Sequence, residues 1–268
     1  MKRIFLYLFG LICASPALAC GPDTDCVVGD RTYRIVMPDG HDGLTKVPVI
    51  AFAHGYQGTA AGVMRNRSLR GVASDLGAAL LAFNSSDGSW MIPNRPRQMD
   101  SDGAAEFAYV DAVLKDATAR FALDANRIMA TGFSGGGMLI WNLACVRSGS
   151  FAGFAPIAGT FWLKPPETCA APVTSIVHIH GDNDKVVPLD GRPIGPTVQG
   201  KVSEAFALYE SFGDFGGVTR TTYGDLSCEE RQNATGHLLD FCLFPGGHSF
   251  RTEHVRHAWQ RLVDAGQL

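Results

Sequence analysis

Short apolar runs that alternate with helix-like segments constrain the fold of this chain more than any other feature. Gly, Pro, Asn or His bounds each run, and the runs cover residues 47–53, 77–83, 127–133, 151–157 and 173–179. Continuous apolar runs of this length are typical of parallel strands that are buried on both faces. Helical patterns fall at residues 61–76, 103–121, 136–147, 201–212 and 251–265. The alternation predicts an α/β fold with a mostly parallel, doubly wound sheet and helices on both faces.

The organisation of the sequence predicts a short targeting segment that is followed by one large domain. Residues 31–37 predict an early antiparallel strand, residues 238–244 look like a late strand, and no fixed repeat or Ser/Pro/Thr-rich linker divides the chain. With 46% apolar residues, the chain has enough hydrophobic side chains for one large core. We therefore expect a single domain over residues 20–268.

Residues 1–19 have the pattern of a secretory signal peptide. Met1-Lys2-Arg3 precedes a short apolar run, and Ala17-Leu18-Ala19 has the small residues of a cleavage site. No later run has the roughly 18 apolar residues of a transmembrane helix. The sequence predicts a secreted or periplasmic protein. A lipid anchor on Cys20 is the lesser alternative, because Leu18 stands where a lipobox usually has a small residue.

The cysteine count agrees with export, and the charge pattern argues against nucleic-acid partners. The formal net charge is −3, and no Lys/Arg cluster suggests a nucleic-acid groove. Without the first 19 residues six cysteines remain, an even number that suits three disulfides in an oxidising compartment. Pairing of nearest neighbours is the simplest of the fifteen connectivities. No Cys pair has C-x-x-C spacing, so the sequence predicts neither a structural metal nor a cofactor.

The segment Thr131-Gly-Phe-Ser134-Gly135-Gly-Gly137 directly follows a predicted strand and opens a predicted helix. In a G-x-S-x-G elbow the glycines let the strand turn sharply into the helix, which exposes the serine hydroxyl above the sheet. We predict that Ser134 is a nucleophile. A structural serine in a Gly-rich turn is the alternative.

A serine nucleophile needs a base and an acid that orients the base. The loop after the strand 173–179 offers Asp182 and Asp184, and we favour Asp184 because Val186-Val187-Pro188 would bury and fix that part of the loop. Asp182 would then form a turn with its own backbone. His248, in the Gly-rich loop before the last helix, is the predicted base. His254 and His257 are placed on the solvated face of that helix.

His54-Gly55-Tyr56-Gln57-Gly58 follows the strand 47–53, and we expect the backbone amides of Tyr56 and Gly135 to form an oxyanion hole. Trp90 and Trp162 lie in loops after predicted strands. Together with Met91, Phe161 and Tyr56 they are candidates for an apolar wall that binds substrate. Packing of surface loops explains them almost as well.

These motifs resemble the secreted esterase family of α/β-hydrolases that contains polyhydroxybutyrate depolymerases and feruloyl and acetyl-xylan esterases. The resemblance covers about Arg31 to Trp259, and its most specific parts are His54-Gly55-Tyr56, residues 124–137, the block 180–188 and Gly246-Gly247-His248. It implies a Ser134, Asp184 and His248 triad with Tyr56 and Gly135 as the oxyanion hole. Family members often place Trp just beyond the histidine, where this chain has Ser249-Phe250, and many carry a linker and a polymer-binding domain. We therefore expect a small or oligomeric ester substrate rather than an insoluble polyester.

Other functions remain open at this stage. A serine peptidase on the same fold is the closest rival. A zinc hydrolase is suggested by His178-Ile-His180-Gly-Asp182-Asn183, although Asn183 stands where the last metal-binding His would be. A non-catalytic binding protein would normally have lost one triad member, and none is missing here. The oligomeric state is not indicated by the sequence.

Overall fold

The computed structural model describes residues 20–268 and contains a ten-stranded sheet and a separate two-stranded hairpin. The strands in chain order are β1 (Cys26–Val28), β2 (Arg31–Val36), β3 (Val47–Ala53), β4 (Ala79–Phe83), β5 (Leu123–Phe133), β6 (Gly153–Ile157), β7 (Ile176–Gly181), β8 (Arg192–Ile194), β9 (Thr197–Gln199), β10 (Gly216–Tyr223), β11 (Leu226–Gln232) and β12 (Leu239–Phe244). The order across the large sheet is β1-β2-β4-β3-β5-β6-β7-β12-β11-β10. Strands β8 and β9 form the hairpin.

The middle of the sheet is parallel and its two margins are antiparallel. Strands β4, β3, β5, β6, β7 and β12 pair in parallel, in that order. Strand β2 pairs antiparallel with β4, as the sequence predicts for residues 31–37. Because the six parallel strands point the same way, their carboxyl ends meet at one edge, where open α/β sheets place their sites.

Six helices cover both faces of the sheet, which confirms the predicted architecture. They are α1 (Ala60–Arg65), α2 (Arg67–Asp75), α3 (Ala104–Arg120), α4 (Gly135–Val146), α5 (Val202–Gly213) and α6 (Thr252–Asp264). One apolar cluster contains Val110 of α3, Trp141 of α4 and Tyr209 of α5. A second cluster contains Leu69 of α2 and Trp259 of α6. Within the described residues, no helix is both long and apolar enough to span a membrane.

The predicted helix 61–76 is two helices that meet at Asn66. The Asn66 side chain accepts a hydrogen bond from the backbone N–H of Leu69 at 3.0 Å and caps α2. The Asn66 backbone N–H donates to the Val63 carbonyl at 3.0 Å and ends α1. Asparagine is a strong N-cap, so it restarts the helix at this point.

The six cysteines form Cys20–Cys26, Cys145–Cys169 and Cys228–Cys242, the nearest-neighbour pairing. The sulfur of Cys20 is therefore in a disulfide. The predicted signal peptide lies outside the described residues. Cys228 and Cys242 face each other on β11 and β12, and His257 Nε2 lies 3.9 and 3.7 Å from their sulfurs. Since the two sulfurs are bonded to each other, this group offers no thiolate pair to a metal.

The prediction that His254 and His257 lie on a solvated helix face is wrong. His254 is 2% exposed, its ring lies 4.7 Å from that of Phe244, and neither ring nitrogen has a hydrogen-bond partner within residues 20–268. His257 is partly buried against the β11–β12 disulfide. Burial lowers the pKa of each imidazole to about 4, and neighbouring arginines act in the same direction.

We expect the substitution His254→Leu to reduce the acid sensitivity of folding. The folded pKa of about 4 lies below the ordinary value of 6.5, so between these pH values the unfolded chain binds more protons. Stability contributed by a neutral His254 is therefore lost as the pH falls from about 6.5 to 4. The melting temperature of the variant should fall less than that of the wild type between pH 7 and pH 4.5. An equal fall of the melting temperature in the two proteins over this pH range would contradict this prediction.

Candidate active site

Ser134 lies in the turn that joins β5 to α4, at the carboxyl edge of the parallel strands. Its backbone has φ 59° and ψ −120°, a conformation that costs energy for a residue with a side chain. Its N–H donates to the Ile157 carbonyl at 2.9 Å, and its carbonyl accepts from Met138 N–H at 3.0 Å. These bonds hold the strained turn on both sides, as in a nucleophile elbow.

The elbow requires close contact between backbones, and glycine permits it. A Cβ on Gly136 would lie 2.0 Å from the Ala53 carbonyl oxygen at the end of β3. A Cβ on Gly132 would lie 2.7 Å from the Gly136 carbonyl carbon. Helix α4 therefore begins directly against β3, and the segment after β3 is brought beside Ser134.

The loops after β7 and β12 are joined by hydrogen bonds, and they bring Asp184 and His248 together. Asp182 N–H donates to the Phe244 carbonyl at 3.0 Å, and Gly246 N–H donates to Asp182 Oδ1 at 3.0 Å. A Cβ on Gly181 would lie 2.4 Å from the Gly247 carbonyl oxygen, so only glycine allows this crossing. His248 Nδ1 donates to Asp184 Oδ2 at 2.6 Å.

Asp184 is 3% exposed, and donors surround its carboxylate. Oδ1 accepts from the backbone N–H groups of Val186 and Val187 at 2.8 and 2.9 Å. Burial by itself would raise its pKa, but hydrogen bonds from His180, His248 and the two valine amides outweigh burial and hold the pKa of Asp184 well below its usual range. The group is therefore an ionised partner for His248. Asp182 was predicted to form a turn with its own backbone. Its side chain instead accepts a hydrogen bond from the Gly246 N–H and so joins the two loops.

His178 and His180 support the loop that carries Asp184. His180 Nε2 donates to the Val187 carbonyl at 2.8 Å, so its Nδ1 accepts from His178 Nε2 at 3.0 Å. His180 Nε2 also lies 3.4 Å from Asp184 Oδ2. Burial lowers the pKa of His178 well below its ordinary value. Both rings face protein groups and each other, which is a structural role and not the arrangement of metal ligands.

The backbone amides of Tyr56 and Gly135 lie next to each other beside Ser134. A Cβ on Gly135 would be 3.6 Å from the Tyr56 nitrogen. Gly135 is the first residue of α4, so its N–H has no acceptor inside the helix. In the part of the chain that the structure describes, the Tyr56 N–H has no hydrogen-bond acceptor either. Two such N–H groups are the donors that an oxyanion requires.

His54 shapes the segment that presents the Tyr56 amide. Its Nε2 accepts from Ser85 N–H at 3.2 Å, which places the ring proton on Nδ1, and Nδ1 donates to the Gly55 carbonyl at 2.8 Å. Burial lowers the pKa of His54, and the charge of Arg31 lowers it further. The imidazole therefore remains a neutral brace for the loop at neutral pH.

A cavity of about 400 Å³ opens beside Ser134, Gly135 and Tyr56. Trp90 and Trp162, the two predicted substrate-binding residues, both line it. Trp90 is 2% exposed, and its Nε1 donates to the His54 carbonyl at 2.8 Å, so it forms a fixed wall. Phe161, expected in the same wall, packs instead in the core, with its ring 5.8 Å from that of Trp141.

Sequence reasoning missed a group of polar residues around this cavity. They are Arg95, Arg97, Arg192 and Gln199. Arg95 and Arg97 belong to the loop between β4 and α3, and the other two face each other across the β8–β9 hairpin. The segments are far apart in the chain and carry no local motif. An excess of Arg in loops at the active edge was the only available signal.

The three predicted triad residues lie at one edge of the sheet. The Phe133 ring stacks on His248 at 4.6 Å, and Ser134 follows Phe133 directly. His248 Nδ1 is used by Asp184, which leaves Nε2 available as a base. No hydrogen bond joins Nε2 to Ser134 Oγ among the described residues.

We expect Gly136→Ala to lower the free energy of unfolding by about 3 kcal/mol, because the added methyl group collides with the Ala53 carbonyl. Gly71→Ala, on the exposed side of α2, is the matched control. Its Cβ would meet no atom within 4 Å, and the change should stabilise the protein by about 0.5–1 kcal/mol. Urea unfolding followed by tryptophan fluorescence measures both effects. Equal stability of the two variants would refute the proposed close contact.

Comparisons with known proteins show that the chain is similar to esterases. The phospholipase/carboxylesterase family profile matches residues 93–194, which include Ser134 and Asp184. NocK of Nocardia uniformis subsp. tsuyamanensis, an esterase-type protein, is 30% identical over 175 residues, or 64% of this chain and 51% of its own length. Feruloyl esterase C of Emericella nidulans is 26% identical over 228 residues, which are 82% of this chain and 77% of its own length. The chain thus spans about half the length of NocK and about three quarters of feruloyl esterase C.

Among solved structures, acetyl xylan esterase from Aspergillus awamori has a TM-score of 0.59 at 12% identity. That match covers 90% of this chain and 96% of the other. At this identity the likeness concerns the fold alone. In fold, and over parts of its sequence, the chain is similar to esterases of the α/β-hydrolase fold.

Proposed function

We propose that this protein is a carboxylic ester hydrolase and that it works through an acyl-enzyme on Ser134. The observation that carries the proposal is the strained elbow at Ser134, together with the 2.6 Å hydrogen bond between partly buried His248 and buried Asp184. The similarity to feruloyl esterase C and to the phospholipase/carboxylesterase family supports the same chemistry.

The mechanism follows from the positions of these groups. Ser134 Oγ attacks the ester carbonyl while His248 Nε2 accepts its proton, and ionised Asp184 stabilises the imidazolium. The amides of Tyr56 and Gly135 bind the oxyanion. His248 then returns the proton to the leaving alcohol as the C–O bond breaks. Water repeats these steps on the acyl-enzyme, which releases the acid and restores Ser134.

The proposed substrates are esters of hydroxyalkanoate oligomers, feruloyl esters and acetyl esters. The values of kcat/KM for p-nitrophenyl acetate to decanoate, methyl ferulate and hydroxybutyrate oligomers would rank these substrate classes. We also propose that the protein acts outside the cytoplasm, because three disulfides suit an oxidising compartment. Fractionation of cells that express residues 1–268 tests this location.

The substitution Ser134→Ala should leave folding intact and lower kcat for p-nitrophenyl butyrate by at least about 10⁴-fold. A fluorophosphonate probe should label Ser134 in the wild type, as seen by mass spectrometry of the tryptic peptide. Ser89→Ala is the matched control, since Ser89 lines the same cavity without a role in the mechanism. Retained hydrolysis in the Ser134 variant would refute the assignment. Inhibition by a chelator with no effect of the probe would favour a metal hydrolase, and faster cleavage of the butyryl p-nitroanilide than of the ester would favour a peptidase.

The two carboxylates of the β7 loop should differ sharply on substitution. Asp184→Asn leaves His248 without its ionised partner, and we expect kcat to fall by about 10³–10⁴-fold. Asp182→Asn keeps an oxygen that can accept from Gly246 N–H, so kcat should change by about threefold or less. Steady-state kinetics with one ester decides between them. A larger loss of kcat in the Asp182 variant would indicate that Asp182, and not Asp184, orients His248.

A further inference from the structure

Three arginines line the cavity next to Ser134, although the chain as a whole has a net charge of −3. They are Arg95, Arg97 and Arg192. The hydrolysis of a neutral ester requires no positive charge beyond the oxyanion donors. The local excess of positive charge therefore calls for a separate explanation.

The charge of Arg95 is balanced inside the protein. Arg95 is 6% exposed, and its guanidinium donates to both oxygens of Asp87 at 3.3 and 3.5 Å. Although burial of Asp87 opposes it, the hydrogen bonds and charge of Arg95, with a smaller contribution from Arg97, lower the pKa of Asp87. The Asp87 carboxylate thus pairs with Arg95 and interacts more weakly with Arg97.

Arg97 and Arg192 are held by neutral partners. Arg97 Nη2 donates to the Tyr56 hydroxyl at 3.1 Å, and Arg192 Nε donates to Gln199 Oε1 at 3.1 Å. Neither has an ion pair with a carboxylate in the chain from Cys20 onward. Gln199 is itself 6% exposed, so it fixes the Arg192 side chain at the cavity while the terminal nitrogens of the guanidinium remain available.

The two arginines approach the nucleophile from opposite sides. Arg97 comes from the loop after β4, and Arg192 comes from the hairpin after β7. In the sheet, β4 lies on one side of β5 and β7 lies on the other, with Ser134 at the end of β5. Their side chains therefore flank a substrate that reaches Ser134.

The remaining cavity wall is mostly apolar. It includes Ile92, Met138, Trp162 and Ile194. An apolar wall weakens the competition from water and strengthens the attraction between a guanidinium group and an anion. The guanidinium fork also matches the two oxygens of a carboxylate.

We propose that this cavity selects esters that carry an anionic group, above all a carboxylate, and that Arg97 and Arg192 bind this group. The inference rests on the proposed ester hydrolysis at Ser134 and adds a substrate class to it. The anion lies away from the scissile bond, along an apolar body that occupies the cavity.

Matched substrates test the proposal, with each pair differing only in one terminal charge. For the acyl side, the pair is the mono-p-nitrophenyl ester of suberic acid and the same ester with a terminal carboxamide. For the alcohol side, the pair is 4-acetoxybenzoate and 4-acetoxybenzamide. We expect the carboxylate of at least one pair to have a kcat/KM about tenfold higher, mainly through a lower KM. Equal values in both pairs, or a preference for the amides, would overturn the proposal.

Substitutions assign the preference to the two arginines. Arg97→Gln and Arg192→Gln should each reduce the carboxylate advantage about fivefold or more, and the double variant should abolish it. The two esters of each pair are compared by the ratio of their kcat/KM values, so an effect that a substitution has on both esters cancels. Arg220→Gln is the control, because Arg220 is exposed and paired with Glu229 on the far edge of the sheet. A full carboxylate advantage in the double variant would contradict the assignment.

A binding measurement separates this inference from the proposed function. In Ser134→Ala protein, the suberate monoamide anion should bind, as detected by calorimetry, and the arginine substitutions should weaken binding about tenfold. If such binding occurs but no ester is cleaved, the proposed function fails and the anion site stands. If esters are cleaved with no preference for the carboxylate, the anion site fails and the proposed function stands.

Discussion

The contact between Gly136 and the Ala53 carbonyl is the constraint on which the active edge depends. No side chain fits at this position, so α4 begins directly against the end of β3. The same contact sets the sharp turn at Ser134 and brings the amide of Tyr56 beside that of Gly135. The proposed nucleophile and the proposed oxyanion donors are thus positioned by backbone packing, which is rigid because it involves no rotatable side chain.

Asp184 and His248, the proposed acid and base, are positioned in a different way, by two loops that hydrogen bonds join. Asp184 receives two amide donors from its own loop, while Asp182 ties that loop to the segment that carries His248. Behind them, His178 and His180 complete a buried chain of hydrogen bonds. The imidazole of His248 is therefore oriented by a carboxylate that three other groups hold, the amides of Val186 and Val187 and the His180 ring, and this lowers the cost of reorganisation in the proposed proton transfer.

Local patterns in the sequence were sufficient to predict the parallel strands and the elbow, whereas they left fifteen cysteine connectivities open, of which the simplest is the one found. They were insufficient for the strand Gly216–Tyr223, which is an almost fully exposed edge without apolar alternation. They also misplaced His254, because a histidine on a charged helix looks solvated until the strand that covers it is known. The cavity arginines were missed for a related reason. Arg97 and Arg192 are brought together by the order of strands in the sheet, and no spacing along the chain records that order.

The crossing at Gly181 has a consequence for how such a protein diverges. The Asp184 and His248 loops pass so closely that a single methyl group at Gly181 would meet the Gly247 carbonyl oxygen, so neither loop tolerates insertions without a matching change in the other. The hairpin from Arg192 to Gln199 lies outside the large sheet and takes no part in this crossing. Changes in that hairpin would reshape the cavity wall that includes Arg192 and Ile194, and the crossing at Gly181 would stay as it is.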